Sequence, residues 1–97
     1  MQRKYTISYT PGAERDLTKF RKRYWKSYRD YLALIPAIEM DPYGIGYPLI
    51  GEFKGFYCLH FGRKPECRAI YEIKNEQITV VVLRIGTREN FYKHLDL

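Results

Sequence analysis

Polar and apolar residues alternate at the start of this chain. Across residues 4–9 the alternation places Tyr5, Ile7 and Tyr9 on one face, which is the two-residue period of a half-buried strand. A proline and a glycine then end the pattern. The sequence therefore predicts an N-terminal β-strand.

A helical period replaces the alternation from Ala13 onward. Apolar residues recur three or four positions apart, at Ala13, Leu17, Phe20, Tyr24, Tyr28, Tyr31, Leu32, Ile35, Ile38 and Met40. We predict one helix from Ala13, and then a second helix or a bent continuation. Pro36 has no N–H group to donate, so a kink or an irregular turn is expected near it. Residues 41–48 are rich in proline and glycine and predict a stop followed by a loop.

The second half of the chain predicts three consecutive strands at residues 56–61, 67–74 and 77–85. Short turn-forming segments separate them. The last strand is almost continuously apolar, as expected for a central strand buried on both faces. The predicted class is α+β: an N-terminal strand and a helical hairpin pack on an antiparallel sheet of about four strands. Residues 88–95 predict a short C-terminal helix.

Strand alternation divides this predicted sheet into two faces. The helix-facing side carries an apolar set, consisting of Tyr57, Leu59, Phe61, Cys67, Ala69, Tyr71 and Ile73. The opposite side carries His60, Arg68 and Glu72, which we expect to line an open concave surface. Cys58 and Cys67 fall on opposite faces, and this arrangement disfavours a disulfide bond between them.

The 97 residues predict one small domain, residues 1–97, because a chain of this length has room for a single core. No apolar run approaches the roughly 18–20 residues that span a bilayer. The N-terminus leads into a strand pattern rather than a secretory signal, so a cytoplasmic protein is expected. The two cysteines and two histidines show no zinc-type spacing, and neither a metal nor an organic cofactor is predicted.

Positive charge is concentrated in the predicted helices. The formal net charge is +6 and the sequence pI is about 9.4, which favours an anionic partner. Six cations lie within eleven residues that contain no acid: Lys19, Arg21, Lys22, Arg23, Lys26 and Arg29. Nucleic acid is one natural partner for such a band, an acidic protein surface is another, and a simply solvated helix face is the third interpretation.

Short motifs along nearly the whole chain resemble the RelE/ParE superfamily of bacterial toxin–antitoxin toxins. They are PGAERDL at residues 11–17, DP at 41–42, PLIG at 48–51, KGFY at 54–57, RAIY at 68–71, and IGTRE at 85–89 with Tyr92. The resemblance implies a RelE-like fold and a cognate antitoxin that forms a hetero-oligomer with the toxin. For the RelE branch it also implies ribosome-dependent cleavage of mRNA, which inhibits translation and uses the RNA 2′-hydroxyl as nucleophile without a metal ion.

The resemblance also indicates which residues carry this chemistry. Arg68 matches the strand arginine of the RelE pattern and Arg88 the arginine after the last strand, and an arginine fork suits the charged transition state. His60 stands where RelE has a lysine, and its pKa near neutrality suits proton transfer. Tyr92 falls close to the terminal tyrosine that contacts the substrate, although packing explains it equally well.

Further cations are expected to contact RNA phosphates without taking part in catalysis. They are Lys54, Arg63, Lys64 and Arg84. Two positions depart from the family pattern: Cys58 replaces a second lysine of RelE, and Thr87 stands where many relatives have histidine.

Each candidate also has a structural interpretation. Arg68 can pair with Glu72 or Glu52, His60 can be a hydrogen-bonded sheet histidine, and Arg88 can pair with a nearby carboxylate. Two other functions share the fold: a ParE-like inhibitor of DNA gyrase that cuts nothing, and a degenerate toxin that only binds its antitoxin. A nuclease requires the histidine and the two arginines to converge on one phosphate-sized site.

Overall fold

The computed structural model describes residues 4–88. In chain order its elements are β1 (Thr6–Tyr9), α1 (Pro11–Arg23), α2 (Trp25–Met40), α3 (Pro42–Ile45), β2 (Tyr47–Pro48), β3 (Tyr57–Phe61), β4 (Cys67–Lys74) and β5 (Thr79–Thr87). Short 3-10 turns at Gly51–Phe53 and Asn75–Gln77 precede β3 and β5. The predicted α+β class is confirmed. The predicted helix at residues 88–95 lies outside the described residues, apart from its first residue.

The strands form one five-stranded sheet in the order β1-β5-β4-β3-β2. All neighbours are antiparallel except β1 and β5, which run parallel with Thr6 opposite Thr79. The expected fully antiparallel sheet of about four strands therefore needs two corrections. An alternating pattern shows that β1 is a strand but not its direction, and the two residues of β2 are too few to show a period.

The structure has the second of the two predicted helices as a separate element, and it differs from the prediction near Pro36. The break lies at Tyr24, whose backbone leaves the helical region (φ −128°, ψ 60°), whereas α2 continues through Pro36 to Met40. The irregular turn expected at Pro36 is therefore wrong. The proline removes only the hydrogen bond to the Leu32 carbonyl, four residues earlier, and Leu32 lies on the exposed side of α2.

The segment expected to be a loop also contains regular structure. Asp41 ends α2 and starts α3, and its carboxylate accepts a hydrogen bond from the Gly44 N–H at 3.1 Å. An aspartate at an N-cap followed by a proline favours a helix start. The resulting turn, α3, brings the chain to β2 at the edge of the sheet.

The predicted apolar face of the sheet is confirmed as the core. The helix-facing set on β3 and β4 belongs to one hydrophobic cluster with residues of both helices. Phe61 is central to it, with its ring 6.1 Å from Phe20 and 5.5 Å from Tyr31. Cys58 and Cys67 are buried free thiols, and the strand pairing places them opposite Ile70 and Phe61 respectively.

An ion pair joins the first helix to the last strand. The carboxylate of Asp16 on α1 accepts hydrogen bonds from Arg84 Nε at 2.9 Å, from Arg84 Nη2 at 3.3 Å and from the Ile85 N–H at 2.9 Å. The pairing of β5 with β1 ends at Val82. Further along β5, the Asp16 carboxylate accepts the hydrogen bond of the Ile85 N–H. Within residues 4–88, no helix combines the length and the apolar character that crossing a bilayer requires.

Candidate functional site

The three predicted active-site residues lie along adjacent strands. His60 on β3 is directly opposite Arg68 on β4, and Arg68 is opposite Gly86 on β5. Arg88 follows β5 by one residue and donates its backbone N–H to the Glu66 carbonyl at 2.9 Å. The structure therefore brings the histidine and both arginines to one end of the sheet.

The imidazole of His60 has a hydrogen-bonding or charged group at each nitrogen. Its Nδ1 is 3.8 Å from the Glu66 carboxylate, and its Nε2 is hydrogen bonded to the Tyr47 hydroxyl. The Tyr47 ring also packs edge-on against the imidazole, with ring centres 5.0 Å apart. A carboxylate beside Nδ1 favours the proton on that nitrogen, and Nε2 is then an acceptor for the phenol.

The surroundings of His60 favour its neutral form. Partial burial lowers the pKa of His60 below its ordinary value, and the charges of Arg68 and Arg88 lower it further against the opposing effect of Glu66. The side chain remains 38% exposed, so a substrate can approach it. A neutral, accessible imidazole beside guanidinium groups is suited to accepting a proton near a bound phosphate.

Glu66 connects the histidine to the second arginine. One carboxylate oxygen faces His60, and the other is 3.3 Å from Arg88 Nη1. The structural interpretation of Arg88, pairing with a nearby carboxylate, is thus observed, although 63% of this side chain is exposed. For Arg68, one suggested structural partner, Glu72, forms an ion pair with Lys74 at 3.7 Å.

Sequence reasoning missed Tyr47 and Glu66. Tyr47 belongs to a strand too short to show alternation. Glu66 lies in the loop before β4, and the strand period does not assign loop residues to either face of the sheet. The signal that identifies Glu66 is the hairpin register: Phe61 pairs with Cys67, so the residue before Cys67 lies close to the end of β3.

The predicted RNA-contacting cations separate into two groups. Arg63 and Lys64 line a cleft of about 810 Å³, and Arg23 and Arg88 are among its other lining residues. Arg84 lies elsewhere, in its ion pair with Asp16.

The other positions singled out in the sequence lie at different distances from His60 and the two arginines, or outside the described residues. Thr87 lines the same basic cleft, Cys58 is completely buried, and Lys54 is exposed in the turn before β3. Tyr92 lies outside the described residues. Between residues 4 and 88, histidine, cysteine and carboxylate side chains form no group of three that could hold a metal ion.

We expect Arg68→Gln to raise the pKa of His60, because the Arg68 charge lowers it in the native protein. NMR titration of the His60 ring proton, assigned by its absence from His60→Gln, measures this change directly. Arg84→Gln is the matched control, because that charge is neutralised by Asp16 and is absent from the groups that shift His60. An unchanged His60 midpoint in Arg68→Gln would show that the two side chains are not electrostatically coupled.

Comparisons with known proteins agree with the motifs. The model of the family described as ParE toxin of type II toxin-antitoxin system, parDE, matches residues 7–92. Toxin RelG of Mycobacterium tuberculosis is 30% identical over 89 residues, which cover 92% of this chain and 97% of that toxin.

Solved structures show the same fold. A chain of the toxin–antitoxin complex RelBE2 from M. tuberculosis matches with a TM-score of 0.70 and 30% identity, covering 88% of this chain and 99% of its own. A double arginine-to-alanine mutant of the E. coli toxin RelE in the free state also gives a TM-score of 0.70, at 20% identity, covering 92% of this chain and 88% of that one.

Proposed function

We propose that this chain, which belongs to the RelE/ParE superfamily of type II toxin–antitoxin toxins, is an mRNA endoribonuclease that acts on the ribosome and inhibits translation. One observation carries the proposal. A histidine biased toward its neutral form lies across a strand pair from Arg68, at the end of the sheet that also presents Arg88.

The proposed reaction is an in-line transfer at phosphorus. His60 accepts the proton of the ribose 2′-hydroxyl while O2′ forms a bond to phosphorus and the bond from phosphorus to O5′ breaks. The products are a 2′,3′-cyclic phosphate and a 5′-hydroxyl, whose oxygen takes a proton from the imidazolium or from water. Arg68 stabilises the extra negative charge on the phosphoryl oxygens. The nucleophile belongs to the substrate, so none of these steps needs a metal-activated water.

The basic cleft gives the RNA backbone a path away from the scissile phosphate. Arg63, Lys64 and Arg23 all line this cleft, where they can neutralise further phosphates. Arg88 has a double role in this proposal: it is held by Glu66 in the free protein, and it turns to the phosphate when RNA binds. The exposed position of its side chain permits this exchange.

The partners that we propose are mRNA on the ribosome and a cognate antitoxin. The similar M. tuberculosis chain comes from a toxin–antitoxin complex, and the basic surface of this chain suits an acidic segment. An antitoxin that lays an extended or helical segment across this surface blocks or distorts the site. The inhibited form of the toxin is then a hetero-oligomer with its antitoxin.

A ParE-like inhibitor of DNA gyrase is the second candidate function. It is favoured by the family model, which is that of a ParE toxin, and by the ion pair that already occupies Arg88. Loss of activity is a third possibility, because Cys58 is buried where RelE has a lysine. Both alternatives keep the fold and the antitoxin and differ only in what the surface around His60, Arg68 and Arg88 does.

Induced expression followed by mapping of mRNA 5′ ends distinguishes these functions. The nuclease proposal predicts new 5′ ends within translated regions, in register with codons, that disappear in the Arg68→Ala, Arg88→Ala double variant. Growth arrest with intact mRNA and damaged DNA would instead establish gyrase poisoning. Normal growth with intact mRNA, in cells that contain the folded protein, would establish a degenerate toxin.

A further inference from the structure

The acceptor nitrogen of His60 is occupied in the free protein. With the proton on Nδ1, beside Glu66, the imidazole has one lone pair in the ring plane, on Nε2, and the Tyr47 hydroxyl is bound there. An sp² nitrogen accepts one strong hydrogen bond. A ribose hydroxyl can therefore pass its proton to His60 either after Tyr47 has been displaced or through Tyr47 itself.

The structure holds Tyr47 in place from several sides. Its backbone pairs with Cys58 in the sheet, and its ring packs edge-on against His60. The preceding residue, Gly46, lies so close to β3 that an added Cβ would be 2.7 Å from the Cys58 carbonyl oxygen and would collide with the Tyr71 hydroxyl. The close approach of β2 to β3 therefore depends on this glycine, and displacing Tyr47 would break both its hydrogen bond and its ring contact.

The Tyr47 side chain is also exposed at the surface. The residue is 41% exposed, and it lies at the edge of the sheet beyond β3. Its oxygen has a second lone pair that can accept a proton while its own hydrogen is donated to Nε2. The phenol oxygen can thus accept a hydrogen bond from the substrate hydroxyl while the phenol itself is hydrogen bonded to His60.

We propose that Tyr47 is a catalytic residue that relays the proton of the RNA 2′-hydroxyl to His60, and that Glu66 is a positioning residue that keeps the imidazole in the accepting tautomer. This inference rests on the proposed nuclease function. It assigns roles to two residues outside the three that the strand pattern identified.

The relay balances in protons and electrons. The O2′–H bond breaks as the Tyr47 oxygen gains that proton, and the original phenol proton moves to His60 Nε2. The electron pair left on O2′ forms the bond to phosphorus, and the P–O5′ pair leaves with the 5′-oxygen. The imidazolium carries its positive charge beside the Glu66 carboxylate, 3.8 Å away in the free protein. At this distance the two groups interact through their charges rather than through a hydrogen bond, and contacts between catalytic groups often shorten when substrate binds.

The decisive variant is Tyr47→Phe, which removes only the hydroxyl and keeps the ring contact with His60. In single-turnover cleavage of mRNA on ribosomes, we expect the rate at saturation to fall about 100-fold. The toxin concentration that gives half of this rate should change by no more than about twofold. Adding His60→Gln to Tyr47→Phe should lower the cleavage rate little further, because both changes interrupt the same proton path. Tyr43→Phe is the matched control: that tyrosine is similarly exposed, but its ring contacts Tyr57.

The outcomes separate the relay from the nuclease itself. If Tyr47→Phe cleaves as fast as the wild type, or faster, the phenol merely blocks His60 and the relay is wrong while the nuclease stands. If the wild-type toxin leaves mRNA uncut, both proposals fail together. Nitrogen-15 shifts of His60 give an independent readout in the free protein: a protonated Nδ1 supports the relay, and a protonated Nε2 excludes it.

Discussion

Arg68→Ala should reduce RNA cleavage by roughly 100- to 1,000-fold in the rate at saturation, which is the effect of removing one electrostatic contact to a developing charge. The arginine lies across the strand pair from His60, and in the proposed reaction its charge acts on the phosphoryl oxygens of the transition state. Substrate binding should weaken much less, because the phosphate contacts proposed for Arg63, Lys64 and Arg23 are unchanged in this variant.

Two further variants make this prediction specific. Arg68→Lys keeps the charge but loses the planar fork, so it should recover only part of the rate. Arg63→Ala removes a cation from the basic cleft and should weaken binding while leaving the rate at saturation nearly unchanged. Cleavage by Arg68→Ala at the wild-type rate would show that the arginine has no part in catalysis, and a lowered unfolding midpoint in the same variant would show that its role is structural.

The largest effect on stability is expected from Asp16→Ala. The carboxylate is 13% exposed and accepts three hydrogen bonds, two of them from Arg84 and one from the Ile85 N–H. Removing it leaves a half-buried guanidinium without this ion pair and a strand N–H without this acceptor. We expect the free energy of unfolding to fall by about 2–4 kcal/mol.

Urea unfolding followed by circular dichroism measures this loss. Asp30→Ala is the matched control, because it removes an exposed carboxylate from α2 and should change stability by less than about 0.5 kcal/mol. Equal midpoints for the Asp16 and Asp30 variants would show that the contact between α1 and β5 contributes little.

The part of the site that lies within regular strands could be predicted from the sequence. The two-residue period places His60 and Arg68 on the same face of neighbouring strands, and the observed register pairs them directly. The same period cannot be applied to Tyr47, in a strand of two residues, or to Glu66, in a loop. These two side chains enter the site through tertiary contacts that no local pattern encodes.

Arg84 shows a second limit of strand reasoning. The sequence predicts Arg84 as one of four cations that contact RNA phosphates, and the structure pairs it with Asp16, 68 positions earlier. The register between β4 and β5 also shifts at this point: Ile70 is opposite Arg84 whereas Tyr71 is opposite Val82. A bulge of this kind changes which way the following side chains project, and nothing in the residue pattern of β5 reveals it.

The central place of β5 in the sheet has a consequence for how the toxin is made. This strand pairs with β1 on one side and β4 on the other, so the sheet depends on contacts between segments far apart in sequence, which form late in folding. During synthesis, a nascent chain that ends before Thr79 lacks β5. Both β1 and β4 are then without the strand that lies between them in the folded sheet. The ribosome that translates this message therefore has to synthesise the chain through β5 before the folded sheet of the toxin can exist.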